Sequence, residues 1–196
     1  MSRGPEKQFD PEIALAKAME VFWARGYEAA SLSELLTHMG IGRKSLYDTF
    51  GNKRSLFLKT LEHYAQTTIK SIRNQLSAPG SPLANIRRVL HDFQRTHAVP
   101  GSKGCMLGTN IADFDTNDQE IASVLRSYLR EVEDAFCRAV LRAQQSGELR
   151  RAMKPRDIAQ LLLCTTQGMA LVGRVLDDET LLKGTVEATL SLLERN

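Results

Sequence analysis

Residues 31–53 of the chain read S-L-S-E-L-L-T-H-M-G-I-G-R-K-S-L-Y-D-T-F-G-N-K, and this stretch decides the fold. It predicts two short helices joined by a tight glycine turn, and the second helix is rich in basic and hydroxyl side chains. That layout is typical of a helix-turn-helix, in which the second helix enters the major groove of DNA. The stretch therefore predicts a partner, double-stranded DNA, and a way of binding it.

The boundaries of the two helices are visible in the sequence. Ser31 is a helix-capping residue, and Glu34, three positions later, completes the pattern of a capping box. Gly40 can adopt the left-handed conformation that ends a helix. In the second helix, Leu46 and Phe50 lie four residues apart, so both are expected to face inward.

The outer face of the second helix then holds the side chains that can contact DNA. Arginine and lysine match guanine edges, serine and threonine are adaptable, and a tyrosine hydroxyl suits a phosphate oxygen. A lysine at the start of the following helix sits where a phosphate can meet a helix N-terminus. The predicted DNA contacts are Ser31, Arg43, Lys44, Ser45, Tyr47, Thr49 and Lys53.

The sequence leaves one other class of function open and disfavours another. A helical adaptor that binds only proteins remains an alternative, in which the basic face is solvated and inert. An enzyme is disfavoured, because the sequence has no phosphate-binding glycine loop, no metal-ligand spacing and no placed nucleophile–base pair. No cofactor and no metal are therefore expected.

Residues 10–64 resemble the DNA-binding domain of the TetR family of bacterial transcriptional regulators. The resemblance depends on residues in a characteristic order and spacing, which here are Gly26, Tyr27, Ser31, Gly40, Leu46, Tyr47, Phe50 and Lys53. The sequence departs from the family at Thr49, where histidine is frequent, and at Lys44, where a small residue is frequent. The bases of the operator therefore do not follow from the resemblance.

The resemblance implies an all-α protein with two domains. Residues 1–52 are expected to form a three-helix helix-turn-helix DNA-binding domain, and residues 53–64 begin a linking helix. Residues 53–196 are expected to form a larger helical domain for effector binding and dimerisation. Repression is the commoner mode of regulation in the family and is adopted as the default.

Length and composition limit the classes of protein to which the chain can belong. The chain has 196 residues, 42% hydrophobic and 25% charged, with a net charge of +3, which is ordinary for a soluble globular protein. No apolar run approaches the ~20 residues of a membrane span, and the N-terminus lacks the apolar segment of a signal peptide. A cytoplasmic location without membrane contact is expected. Three widely spaced cysteines predict neither a disulfide framework nor a zinc site.

Proline, glycine and serine clusters divide the chain into further helices. One helix is predicted from Asp10-Pro11 to Gly26, and a long helix from Lys53 to about Leu76. A short apolar helix is predicted from Cys105 to Phe114, and a helix from Pro155 to Leu176. The sequence shows no convincing strand and no repeat.

The helix from Pro155 to Leu176 is too apolar for one buried stripe, so it is either central in a core or shared with a second subunit. Together with the last helix it predicts half of a four-helix interface in a two-fold dimer, and the resemblance implies the same pairing. Such a homodimer reads a palindromic operator. The predicted interface residues are Leu161, Gly168, Leu171, Val172, Val175, Leu182, Val186 and Leu190.

The resemblance also implies a small-molecule effector that releases the operator by favouring the non-binding arrangement. Candidate ligand contacts combine apolar bulk with a few polar groups. They are Phe93, His97, Cys105, Met106, Asn110, Phe114, Tyr128 and Gln167. Trp23, the one tryptophan, is interpreted as a packing residue of the first domain.

Cys105 supports an alternative way of sensing. It lies at a predicted helix N-terminus, and Lys103 is two residues earlier. Both features favour a thiolate, and a thiolate can react with oxidants or electrophiles. The alternative function is a thiol-based redox or electrophile sensor that regulates transcription through Cys105.

Overall fold

A computed structural model of the chain describes residues 9–112, 118–176 and 178–194. These residues form α-helices and one π-helical segment, and none of them forms a β-strand, so the all-α prediction is confirmed. No helix in the described ranges is long and apolar enough to cross a membrane. The helices are α1 Pro11–Arg25, α2 Leu32–Met39, α3 Arg43–Phe50, α4 Lys53–Tyr64, the π segment Ala65–Ile69, α5 Lys70–Ser77, α6 Pro82–His97, α7 Met106–Ala112, α8 Gln119–Gln145, α9 Pro155–Val172 and α10 Glu179–Glu194.

Helices α1 to α4 pack around a small apolar core. The carboxylate of Asp10 caps α1 and accepts a backbone N–H of the first turn at 2.8 Å. Phe22 of α1 and Phe57 of α4 are fully buried, and their rings meet edge to face with centroids 5.0 Å apart. Leu46 and Phe50 of α3 are buried, as predicted. Helix α3 is therefore anchored by one face and leaves the opposite face in solvent.

The turn between α2 and α3 forms largely as the sequence predicts. The hydroxyl oxygen of Ser31 accepts the N–H of Glu34 at 3.1 Å, and Gly40 is left-handed with φ of 69°. The capping box also predicts that the Glu34 side chain accepts the backbone N–H of Ser31, and this part of the prediction was wrong. The Glu34 carboxylate lies 3.1 Å from Nε of Arg25 in α1, so it joins two helices instead of capping its own.

The long helix predicted from Lys53 to about Leu76 is one continuous rod made of α4, the π segment and α5. Residues at both ends of the π segment keep right-handed helical dihedrals, so the rod widens locally without breaking. A π segment closes its hydrogen bonds one residue further along than an α-helix and is common at functional sites. This segment connects α4, which packs beside the predicted helix-turn-helix, with α5.

The second part of the molecule is built on α6, α8 and α9, and α10 packs over α6 and α9. The inward face of α10 holds three of the predicted dimer-interface residues. Leu182, Val186 and Leu190 are 1%, 0% and 6% exposed, because they fill the protomer's own core. Side chains buried in this way have almost no surface to offer a second subunit.

Helix α7 begins one residue later than predicted, and α9 is shorter than predicted. Helix α7 begins at Met106 and is described to Ala112, whereas the predicted end, Phe114, lies outside the described residues. Helix α9 ends at Val172 rather than Leu176. The next residue, Gly173, faces the carbonyl oxygen of His97, which a Cβ at Gly173 would approach to 2.4 Å. Because Gly173 has no side chain, the end of α6 can pack closely against the end of α9 within one chain.

An ion-pair cluster holds the start of α4 against the start of α8. The guanidinium of Arg54 donates to both carboxylate oxygens of Asp118, at 2.8 and 2.9 Å, and lies 2.5 Å from Glu120. Asp118 also caps α8 by accepting the N–H of Ile121 at 3.1 Å. The Arg54 hydrogen bonds lower the pKa of Asp118 to about 2. Asp118 is therefore ionised at neutral pH, and the cluster stays charged.

Two left-handed glycines lie in the segment before α7, and substitutions at them test how closely α9 packs on that segment. Gly101 (φ of 75°) faces open space, whereas a Cβ at Gly104 (φ of 72°) would lie 2.7 Å from the Ala170 carbonyl oxygen. Gly101→Ala is expected to cost about 1 kcal/mol from backbone strain alone. Gly104→Ala is expected to cost about 1–3 kcal/mol more, because a tightly packed site must shift. Urea unfolding at one protein concentration measures both, and equal losses would contradict the described approach of α9.

Candidate nucleic-acid interface

The exposed face of α3 is the candidate DNA-reading surface. Arg43 and Lys44 are exposed in its first turn, and the ring of Tyr47, one turn later, is 49% exposed. Ser45 is half-buried on the flank of the same face. Because Leu46 and Phe50 hold the opposite face in the core, these side chains point away from the body of the molecule.

Ser31 and Thr49 lie beside this face. The Ser31 oxygen accepts a hydrogen bond as the cap of α2, so its O–H remains available as a donor. Thr49 is half-buried and lines a groove with Pro11 of α1 and Lys59 of α4. The structure therefore places Thr49 on the side of α3 that leads towards α1, not on the outermost line predicted for it.

Lys53 is held in a fixed position at the first residue of α4. Its Nζ donates to the carbonyl oxygen of Glu28 at 3.3 Å and lies 4.7 Å from the centroid of the Tyr27 ring. Tyr27 packs in turn on Phe57 with a centroid distance of 4.9 Å. Burial raises the pKa of Tyr27, so its hydroxyl stays neutral at neutral pH. The sequence identified Tyr27 as a family residue but not as the support of Lys53.

The N-terminus of α4 adds backbone donors next to Lys53. The Asn52 side chain caps the helix by accepting the N–H of Ser55 at 2.9 Å. Gly51, with φ of 82°, allows the sharp change of direction between α3 and α4. The first-turn N–H groups and the ammonium of Lys53 together form a site where a DNA phosphate can bind.

A cavity of about 350 Å³, called here the junction cavity, lies between α1, the long rod, α6 and the segment before α7. Three predicted ligand residues, Phe93, His97 and Cys105, line it. Nδ1 of His97 lies 3.0 Å from the hydroxyl oxygen of Ser102. Burial lowers the pKa of His97, so the imidazole is neutral at pH 7.

Four of the other predicted ligand residues, all within the described ranges, do not line the junction cavity. Met106 is fully buried, and Asn110 is 2% exposed and donates to the Met106 carbonyl oxygen at 2.8 Å. Gln167 lies against Gly108, where an added Cβ would be 2.9 Å from its side-chain oxygen. Tyr128 is half-buried on α8. Phe114 lies outside the described ranges.

Several cavity residues were missed by sequence reasoning, above all Trp23. Its indole N–H donates to the Gly104 carbonyl oxygen at 2.9 Å, and its ring meets that of Tyr64 edge to face at 5.3 Å. The Tyr64 hydroxyl lies 3.5 Å from Sγ of Cys105. Trp23 is therefore more than a packing residue of the first domain, because it connects α1 with the wall of the cavity.

A stripe of exposed apolar and small residues, called here the pairing face, runs along α9 and its C-terminal extension and continues on α10. On α9, Leu161, Gly168 and Leu171 are spaced by seven and three positions, which places them on one side of the helix. Leu171 is 52% exposed and Val175 81% exposed, and Leu181 and Leu192 of α10 are 39% and 64% exposed. The pairing face consists of Leu161, Gly168, Leu171, Val172, Val175, Leu181 and Leu192.

An anchored, exposed basic helix after a glycine turn, on a larger helical body, defines a helix-turn-helix transcriptional regulator. Residues 14–60 match the family described as bacterial regulatory proteins, tetR family, and residues 81–189 match the tetracyclin repressor-like C-terminal domain. The chain belongs to the TetR family of bacterial transcriptional regulators, as the sequence predicts. Members of this family regulate transcription and are not enzymes.

The chain is similar to other regulators over most or all of their length. The chain is 34% identical to the uncharacterized HTH-type transcriptional regulator YezE of Bacillus subtilis, over 97% of this chain and 100% of YezE. It is 30% identical to the HTH-type transcriptional repressor ComR of Escherichia coli, over 88% and 83% of the two chains. A cysteine mutant of the TetR family regulator CifR, complexed with 26 bp double-strand operator DNA, superposes with a TM-score of 0.86 at 25% identity, over 97% and 100%.

The fixed position of Lys53 gives a test of the interface. Lys53→Gln is expected to weaken binding to random duplex DNA by roughly tenfold, and to reduce the slope of log affinity against log salt by about one for each Lys53 that meets a phosphate. Fluorescence anisotropy at several salt concentrations measures both quantities. Lys183→Gln removes an exposed lysine of α10 and serves as the control. Equal slopes for wild type and both variants would place Lys53 away from DNA.

Proposed function

We propose that the chain represses transcription by binding a palindromic DNA operator as a homodimer, and that a small molecule in the junction cavity releases it. The exposed face of α3, held outward by buried Leu46 and Phe50, carries the proposal. This face favours a DNA-binding regulator over a helical adaptor, because within the described part of the chain its basic side chains have no protein contacts that would explain them. A bacterial regulator of this kind acts in the cytoplasm, where the chromosome lies.

The proposed contacts divide into two groups. Arg43 and Lys44 read base edges in the major groove, because their long cationic side chains leave the first turn of α3. Tyr47 and Lys53 contact phosphates and set the register of α3. Ser31, Ser45 and Thr49 at the flanks add shorter polar contacts.

The pairing face supports the homodimer. Apolar side chains such as Leu171 and Val175 are costly to leave in water over a continuous stripe. Gly168 faces open space within its own chain, so a second backbone can approach it closely. Relative to the sequence prediction, the proposed interface loses Leu182, Val186 and Leu190 and gains Leu181 and Leu192. A two-fold dimer presents two copies of α3 and therefore reads a palindrome.

The similarity to ComR, which is described as a transcriptional repressor, supports repression. Selection of bound fragments from random duplex DNA tests the proposal, because it requires no assumption about the operator sequence. We expect an inverted repeat whose half-sites lie about one helical turn apart or slightly more. A pool that shows no enrichment, or a selected site without symmetry, would contradict it.

The pairing face predicts that one charged substitution on α9 weakens dimerisation. Leu171→Glu places a charge where the proposed subunits meet, so it is expected to weaken dimerisation by more than about 30-fold and operator binding with it. Leu141→Glu is the matched control, because Leu141 is 44% exposed on α8, outside the pairing face. Sedimentation velocity gives the oligomeric state. The proposal fails if Leu171→Glu remains as dimeric as Leu141→Glu.

Cys105 supports a second candidate function, sensing of electrophiles or oxidants. Cys105 lines the junction cavity, and its Sγ lies 3.5 Å from the Tyr64 hydroxyl. Modification there adds atoms directly to the cavity wall. The two other cysteines, Cys137 and Cys164, do not line this cavity, so they serve as controls.

Alkylation with iodoacetamide tests this candidate. The sulfur bonds to the methylene carbon, iodide leaves, and the thiol proton passes to water. If Cys105 senses electrophiles, alkylation lowers operator affinity by more than about tenfold in wild type, Cys137→Ser and Cys164→Ser, but not in Cys105→Ser. A loss of affinity that is the same in Cys105→Ser excludes this mode of sensing.

A further inference from the structure

The junction cavity is walled in part by the DNA-reading unit itself. Trp23 belongs to α1, and its neighbour Phe22 is fully buried and packs on Phe57 of α4. The indole of Trp23 reaches the other way and donates to Gly104. A molecule that moves this indole therefore acts on α1 directly, without an intermediate helix.

The lining of the cavity selects against anions. Among the described residues that line it there is no lysine or arginine. Asp92 is the one carboxylate among them and is paired with Arg95, and the buried His97 is neutral. A carboxylate or phosphate in this cavity would meet no counter-charge, and an unpaired charge away from water is unfavourable.

The same lining suits an uncharged aromatic molecule. The rings of Trp23, Tyr64 and Phe93 form apolar walls that favour edge-to-face or offset stacking. Hydroxyl groups of the π segment and α6, including those of Thr68 and Thr96, can hydrogen-bond a polar substituent. Gln75 also lines the cavity, and within the described residues its side-chain oxygen is buried without a hydrogen-bond partner.

The two partners of the Trp23 hydrogen bond differ in their freedom to move. Gly104 is wedged against α9, since a Cβ there would lie 2.7 Å from both the Ala170 carbonyl oxygen and the Arg174 side chain. The indole is half-buried and borders the open volume of the cavity. Insertion of a ring next to Trp23 therefore displaces the indole, not the Gly104 carbonyl.

We propose that the junction cavity binds a small, uncharged aromatic molecule that carries a hydroxyl or carbonyl group, and that this molecule separates Trp23 from Gly104 and thereby moves α1. Trp23 is then the residue that couples effector binding to DNA release. The inference depends on the proposed function, since it assumes an effector-controlled DNA-binding protein. The coupling is a population shift, because the ligand favours the arrangement in which α1 has moved.

Two probes with the same ring skeleton test the ligand class. At pH 7, 2-naphthol is uncharged and 2-naphthoate is an anion. Incorporation of 5-fluorotryptophan gives one fluorine signal, because Trp23 is the one tryptophan of the chain. We expect 2-naphthol to shift this signal in a saturable way and 2-naphthoate to leave it unchanged. Equal binding of both probes, or no binding of 2-naphthol at millimolar concentration, overturns the assignment.

The variant Trp23→Phe tests the coupling, because it keeps an aromatic wall and removes the indole N–H. In the wild type we expect 2-naphthol to lower affinity for the selected operator by about tenfold or more. In Trp23→Phe, calorimetry should still detect 2-naphthol binding, whereas the loss of operator affinity should shrink below about threefold. An undiminished loss would show that the signal bypasses Trp23.

Ser71→Phe provides a second variant, which takes up cavity volume from the side of the rod. Ser71 lines the cavity on the rod and is exposed, so a larger side chain there should fold. We expect calorimetry to show 2-naphthol binding at least about tenfold weaker than in the wild type, and undiminished binding would place the ligand elsewhere. A wild-type chain that ignores duplex DNA without ligand refutes the proposed function itself. A chain that binds DNA normally but is insensitive to 2-naphthol refutes only this inference.

Discussion

Helix α1 is attached on two sides, and the arrangement of the whole molecule depends on this double attachment. Successive residues of a helix point about 100° apart, so Phe22 and Trp23 necessarily face different neighbours. Phe22 packs on Phe57 within the DNA-reading unit, and Trp23 donates to Gly104 at the edge of the larger domain. The ion pair of Arg54 with Asp118 adds a second connection, from α4 to α8. The position of α3 relative to the cavity therefore follows from a few defined contacts.

The DNA-reading surface is small, and its size explains the rest of the architecture. Helix α3 has eight residues, of which two are buried in the core, so one copy offers few base contacts. The proposed phosphate contacts of Lys53 and the N-terminus of α4 add affinity but carry no sequence information. Selective binding therefore needs a second copy at a fixed spacing. The uncovered pairing face on α9 and α10 offers the surface that can supply it.

The local features of the fold could be predicted from sequence because their causes are local. Ser31 and Gly40 mark the ends of α2 through their own hydrogen bonds and dihedrals, and the spacing of Leu46 and Phe50 places both in the core. The partner of Glu34 could not be predicted, since Arg25 lies on another helix. The sequence also could not show whether Leu182 and Val186 lie in the core of one chain or in an interface between two. Apolar residues in both settings recur with the same helical period.

The cavity was predicted only in part for the same reason. Phe93, His97 and Cys105 were found from their chemistry, but Trp23 and Tyr64 come from helices that tertiary packing alone brings beside them. Asn110 and Gln167 have suitable polar groups, yet they lie elsewhere in the packed interior. Sequence patterns identify the types of side chain that can bind a ligand. They do not show which of them share one cavity, because that depends on how the helices pack.

The central claim is that two copies of α3 read one duplex symmetrically, and hydroxyl-radical footprinting on a selected operator tests it most directly. The account predicts two protected segments related by two-fold symmetry on one side of the duplex, with centres about one helical turn or slightly more apart. A single unsymmetrical footprint, or no protection at a protein concentration that saturates binding, would contradict it.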